Sequence, residues 1–247
     1  DLKNDNGVYK MDFDDFEAKA KDPKTVLCIF CNPHNPTGRV WTEDELSRVG
    51  DICLKNDLWV ISDEIHCDLL RTGNKHIPLA KVFPESDRII TAMAPSKTFN
   101  LAGLMLSNII IPSETLRKTW LDRHYPFENP LSIAATQAAY EHGEEWLCEL
   151  KAYLDGNFEF TKRFLDQNLP ETKFEISEAT YLAWVNIDPY LAGEENLSLF
   201  FANNAGVLLE GGNMFVGNSD GYIRLNLACP RSVLQEGLKR IKEAVLK

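Results

Sequence analysis

Thr25–Cys31 (TVLCIFC) is a short run of apolar β-formers that stops on Asn32-Pro33-His34-Asn35-Pro36-Thr37-Gly38, a string of turn formers. Pro fixes φ and Gly reaches positive φ, so the string turns the chain directly after a buried strand. Working outward, Thr42–Asn56 (TEDELSRVGDICLKN) carries Leu46, Val49, Ile52 and Cys53 at helical spacing. It opens on Thr42 with Glu45 three residues on, the pattern of a capping box. Leu58–Ser62 (LWVIS), Arg88–Met93 (RIITAM) and Leu106–Ile111 (LSNIII) are further strand candidates. Continuous apolar strands separated by helical segments predict an α/β fold: a mostly parallel sheet with helices on both faces.

Pro126–Pro130 interrupts that alternation. A long helical stretch is expected over about Ser132–Asn168, broken or kinked near Gly143 and Gly156. Strands are then expected at Tyr181–Ile187, Val207–Leu209 and Tyr222–Leu227, with a closing amphipathic helix over about Ser232–Val245. The expected organisation is part of a large domain over residues 1–130, a bridging helix region over 131–170 and a smaller C-terminal α+β domain over 171–247. At 247 residues and 44% hydrophobic, the chain has material for a substantial core.

Charge and composition narrow the function classes. The net charge is −11 and Lys and Arg form no cluster, which argues against nucleic acid or an anionic membrane surface as partner. No apolar run approaches the ~20 residues needed to cross a bilayer. Asp1–Asp5 has no signal-peptide character and no initiator Met precedes it, so the expected true start lies upstream. Of the six cysteines, Cys28 and Cys31 have C-x-x-C spacing, but no second pair follows and the motif sits in a strand-like run. A structural role for these thiols and a cytoplasmic location are expected.

In open parallel sheets, ligands bind beyond the carboxyl ends of the strands. The polar residues that follow the apolar runs are therefore the candidates. Asn35 follows the first run, Asp63-Glu64-Ile65-His66 the second, and Ser96-Lys97 the third. An amide, a carboxylate and an amine are thus expected in one crevice. Taken singly, each has a plain structural alternative: a turn, a helix cap and a solvated lysine.

The strings NPHNPTG (32–38), SDEIH (62–66), APSKTFNLAG (94–103) and YIRLN (222–226) resemble the fold type I pyridoxal-phosphate enzymes. Within them the chain is similar to the class I/II aminotransferase-related C–S β-lyases, the cystathionine β-lyase-like MalY/PatB group. The likeness runs over essentially the whole chain. It implies pyridoxal 5'-phosphate as cofactor, a small amino-acid substrate and a homodimer. Position by position, it implies that Lys97 carries the cofactor as an imine and that Asp63 faces the pyridinium nitrogen. It further implies that Asn35 bonds the phenolic oxygen, that Ser96 contacts the phosphate, and that Arg224 clamps the substrate α-carboxylate. A carboxylate beside the ring nitrogen improves the electron sink, and a planar guanidinium matches a carboxylate with two parallel hydrogen bonds.

Three departures refine the expectation. His66 stands where aminotransferases of this fold carry Tyr, and the lyase subgroup shows His there. Ala94 and Met105 stand where many relatives place a phosphate-binding serine and arginine. Family members also carry a substantial region before the segment matching Asp1, so a fragment of a longer enzyme is expected. The expected activity is α,β-elimination of cystathionine or a related cysteine S-conjugate to a thiol, pyruvate and ammonia. The alternatives are an aminotransferase of the same family and a non-catalytic regulator of the same fold.

Overall fold

The structure is a computed structural model that describes residues 1–5, 7–124, 127–217 and 219–247. Pro126, where the sequence suggested an interruption, lies outside the described residues. A hairpin of β1 (Lys3–Asp5) and β2 (Val8–Lys10) leads into α1 (Phe13–Ala20). Then β3 (Leu27–Cys31), α2 (Glu43–Lys55), β4 (Trp59–Asp63), α3 (Leu79–Val82), β5 (Ile89–Met93), α4 (Pro95–Thr98) and β6 (Asn108–Ile110) build the first sheet. Its strand order is β3-β4-β5-β6.

Strands β3, β4 and β5 are parallel, each pair joined through a helical crossover, whereas β6 returns antiparallel to β5. The four-residue α4 and a single 3₁₀ turn lie between those two strands. Along β3, alternate residues face opposite sides of the sheet. Phe30 packs with Val60 and Ile89 under Leu46, Val49 and Cys53 of α2, while Ile29 on the other face is 73% exposed. Thr42 caps α2 with the expected box: its hydroxyl accepts from Glu45 N, and the Glu45 carboxylate accepts from Thr42 N. Cys28 lies against Cys53 inside this core, and its C-x-x-C partner Cys31 closes β3 with its thiol toward Pro33 O.

Helices α5 (Glu114–Arg123), α6 (Pro130–His142) and α7 (Glu144–Asn168) follow. The break expected at Gly143 is present; a side chain there would run into the Phe99 ring. The chain does not break at Gly156, and α7 runs continuously through it. Burial of Leu154, Phe158, Thr161 and Leu165 along one face outweighs the roughly 1 kcal/mol helix cost of one glycine.

The last part comprises β7 (Leu182–Asn186), α8 (Asp188–Leu191), α9 (Leu197–Ala205), β8 (Glu210–Gly211), β9 (Tyr222–Asn226) and α10 (Arg231–Val245). Its three-stranded antiparallel sheet has the order β7-β9-β8. Phe158, Phe201, Val185, Ile223, Leu238 and Ile241 form its core beneath α7, α9 and α10. The strand expected at Val207–Leu209 is not formed, and pairing begins only at Glu210. Leu208 and Leu209 instead border the cleft described below.

A clasp joins the two sheets. Arg71, 6% exposed, gives Nη2 to Thr180 O (2.8 Å), forms an ion pair with Asp155 of α7 (2.9 Å) and stacks over Phe158 (4.6 Å). Thr180 N donates to Leu69 O, and Ala179 N to Gly38 O. Gly38 has φ +68°, and a Cβ there would collide with Ser177 and with Ala179 O. Both the turn and the close approach therefore require glycine.

Candidate active site

The carboxyl ends of β3, β4 and β5 point toward β9 across a cleft of about 360 Å³. Asn35, His66, Lys97 and Arg224 line it together with Tyr181, Leu208, Leu209 and Glu210. Four of the six residues singled out from sequence thus share one surface. Asp63 and Ser96 are not among its lining residues.

The β3 turn is stiff. His34 N and Gly38 N bond Arg39 O and His34 O, and the Trp41 indole donates to Cys31 O (2.9 Å). This holds Asn35 at the cleft, where its Oδ1 accepts from Arg224 Nη1 at 2.7 Å. One hydrogen bond therefore connects the first sheet's strand end to the middle of β9. The other terminal nitrogen of Arg224 is ion-paired with Glu210 of β8, its ladder neighbour, and the Phe215 ring lies 5.1 Å from the guanidinium.

At the end of β4 the alternation of a strand separates two neighbouring acids. Asp63, in register between Cys31 and Ala92, uses Oδ1 only to accept from Ile65 N at 3.3 Å. Glu64 turns inward and is 1% exposed. It accepts from Ser62 Oγ (2.8 Å) and Leu79 N (3.1 Å), and its other oxygen meets His76 Nε2 at 2.8 Å. Glu64 is thus a buried tie for the 65–79 loop.

His66 is 3% exposed and lies edge-on to Tyr181, with ring centroids 5.8 Å apart. Burial, and then the positive charges of Lys97 and Arg224, push its pKa down to about 4. The ring is therefore neutral near neutral pH, and its buried Nδ1 has no hydrogen-bond partner. The short α4 is pinned by Thr98 Oγ1 donating to Asp68 Oδ2 (2.9 Å). Among the described residues, neither the Lys97 ammonium nor the Ser96 hydroxyl makes a hydrogen bond or ion pair.

Sequence reasoning missed Glu210, Tyr181 and the buried role of Glu64. Glu210 was within reach of the same rule that found the others: it is the first charged residue after the apolar run Val207–Leu209. Tyr181 was hidden in a strand-like run; it lies just before β7 and lines the cleft.

Comparison with known proteins adds the wider setting. The chain is 39% identical over 249 residues to the cystathionine beta-lyase PatB of Bacillus subtilis, covering 99% of this chain and 64% of that protein. It is 53% identical, with a TM-score of 0.97, to the structure of a PLP-bound C-S lyase from Staphylococcus hominis, covering 100% of this chain and 64% of that one. Cystalysin from Treponema denticola, a structure containing pyridoxal 5'-phosphate, matches at 37% identity and a TM-score of 0.94, over 64% of its length. The chain therefore spans a little under two thirds of the length of these relatives. Residues 3–241 match the family Aminotransferase class I and II, and the chain belongs to that family.

Proposed function

We propose that the protein acts as a pyridoxal-phosphate-dependent C–S β-lyase. It converts cystathionine or a related cysteine S-conjugate, with one water, into a thiol, pyruvate and ammonia. The observation that carries this is the meeting of Asn35, His66, Lys97 and Arg224 on one cleft, from two different sheets. The names of the relatives matched over nearly all of this chain supply the reaction class.

The residues fit the cofactor. Lys97 offers an amine with no competing partner, and His66 Nδ1 is a buried polar atom in want of one. Among the described residues, Asp63 keeps a carboxylate oxygen free of hydrogen bonds at the strand end, and Ser96 an unpaired hydroxyl. Bound there, pyridoxal phosphate supplies an electron sink for the bond that breaks at the substrate Cα. Asp63 would stabilise positive charge on the ring nitrogen, Asn35 would donate to the phenolic oxygen, and Ser96 would donate to the phosphate.

The substrate α-carboxylate takes Arg224 in a two-point contact, which fixes the orientation of the Cα–H bond. Lys97, as a free amine, removes that proton. The thiolate then departs from Cβ and takes a proton. Neutral His66 offers a hydrogen bond at the cleft wall without adding a second positive charge beside Lys97. A homodimer and a cytoplasmic location belong to the same proposal, on the likeness alone. Among the described residues no helix is long and apolar enough to cross a membrane.

The test is incubation of the full-length, cofactor-loaded protein with cystathionine and, separately, with an amino acid plus 2-oxoglutarate. Pyruvate in the first and no glutamate in the second is the expected result. Glutamate without pyruvate overturns it in favour of transamination. A Lys97→Ala variant is expected to lose turnover by about 10³-fold or more. A biological role that survives that change would point to regulation instead.

A further inference from the structure

Arg224 and Glu210 face each other across the β8–β9 ladder and are ion-paired, while the second terminal nitrogen of Arg224 already serves Asn35. Both terminal nitrogens of the guanidinium are therefore engaged. A substrate carboxylate that takes them in a two-point contact competes with Glu210 for Arg224. Among the described residues lining the cleft, Glu210 is the only acid; its charged companions there are Lys97 and Arg224. Once Arg224 is neutralised by the substrate, Glu210 is a carboxylate that has lost its cation. It is partly exposed, on a two-residue strand, beside the exposed Leu208 and the apolar Leu209. Among the described residues lining the cleft, Lys97 is the other cation, and a cation on the ligand would compete with it for Glu210.

We propose that Glu210 selects the departing half of the substrate: displaced from Arg224 by the α-carboxylate, it receives an ammonium group at the far end of a cysteine S-conjugate. This rests on the lyase function proposed above. The preferred substrates are thioethers with a cationic group several bonds beyond sulfur, with the chain between lying along Leu208 and Leu209. Simple alkyl conjugates leave Glu210 unpaired and bind less well. Removing its charge has two opposite consequences. It abolishes the preference for a distal ammonium, and it tightens binding of neutral-chain amino acids by ending the competition for Arg224.

The experiment compares isosteric ligands on the full-length, cofactor-loaded protein. Homolysine and 2-aminooctanoate, in their L forms, have a methylene in place of sulfur, so nothing can leave and binding is read directly by titration calorimetry. Wild type is expected to bind homolysine about fivefold more tightly, the scale of one partly exposed ion pair. In Glu210→Gln the ratio is expected to fall to about one, with 2-aminooctanoate binding more tightly than to wild type. Glu210→Asp, which keeps the charge, is expected to keep the sign of the preference.

The reactive pair S-(3-aminopropyl)-L-cysteine and S-butyl-L-cysteine should show the same pattern in KM. A ratio of one or less in wild type, or a ratio unchanged in Glu210→Gln, overturns the proposal. The wild-type ratio decides even if a variant fails to fold. If neither thioether yields pyruvate, the lyase function falls, and the calorimetric ratio still decides the role of Glu210.

Discussion

The two sheets are finished to different degrees. In the antiparallel β7-β9-β8 sheet, Leu182–Val185 are all buried and a continuous core lies beneath α7, α9 and α10. In the β3-β4-β5-β6 sheet the two edge strands carry exposed apolar side chains, Leu27 and Ile29 on β3 and Ile109 and Ile110 on β6. Yet three of the four cleft residues identified from sequence sit at the strand ends of this less covered sheet. The covered sheet contributes Arg224, through a strand locked between two neighbours. The difference separates two jobs: the C-terminal core holds Arg224 in a fixed place, and the parallel strand ends gather the other polar groups around it.

The strongest way to break this comparison is to remove volume from each sheet of this chain. Phe158→Ala, in the C-terminal core and 0% exposed, is expected to cost about 3–5 kcal/mol in chemical denaturation. Ile29→Ala is expected to change stability by no more than about 0.5 kcal/mol. Equal losses would mean that the two sheets are equally packed.

Next in size is the clasp. Arg71→Leu leaves Asp155 without its buried cation and is expected to cost about 3 kcal/mol. It should also uncouple the two cores, seen as unfolding curves by tryptophan fluorescence and circular dichroism that no longer coincide. A single coincident transition in the variant would show that other contacts hold the sheets together.

The smallest expected effect sharpens the role of the cleft wall. The folded-state pKa of His66 is about 4, below its ordinary 6.5, so between those values the unfolded chain binds more protons than the folded one. The stabilising contribution of the neutral ring is complete above pH 6.5 and is lost as pH falls toward 4. His34, pushed down to about 4 by burial, acts in the same window. His66→Gln is therefore expected to flatten the acid limb of stability against pH only in part. An unchanged limb would mean that His66 is not held neutral.

Much of the first sheet was legible because its signals are local. The Thr42–Glu45 box, the apolar runs and the turn string 32–38 each act within a few residues, and β3, β4, β5 and α2 lie where they point. Val207–Leu209 misled because an apolar run looks the same whether it pairs in a ladder or borders a cleft. Gly156 misled because the cost of a helical glycine is local, whereas the burial that overrides it comes from the opposite face of a 25-residue helix.

By itself, the chain order of residues determined that an amide, an acid and an amine follow three apolar strands, and parallel strands must present such residues at one end of a sheet. It could not determine that Asn35 would reach Arg224, 189 positions away, or that Glu210 would already hold that arginine. Nor could it determine that burial beside two cations would keep His66 neutral. Those facts depend on how two sheets dock, through the Arg71 clasp and the glycine contact at 38. Docking is set by packing between segments far apart in sequence, where no local propensity acts.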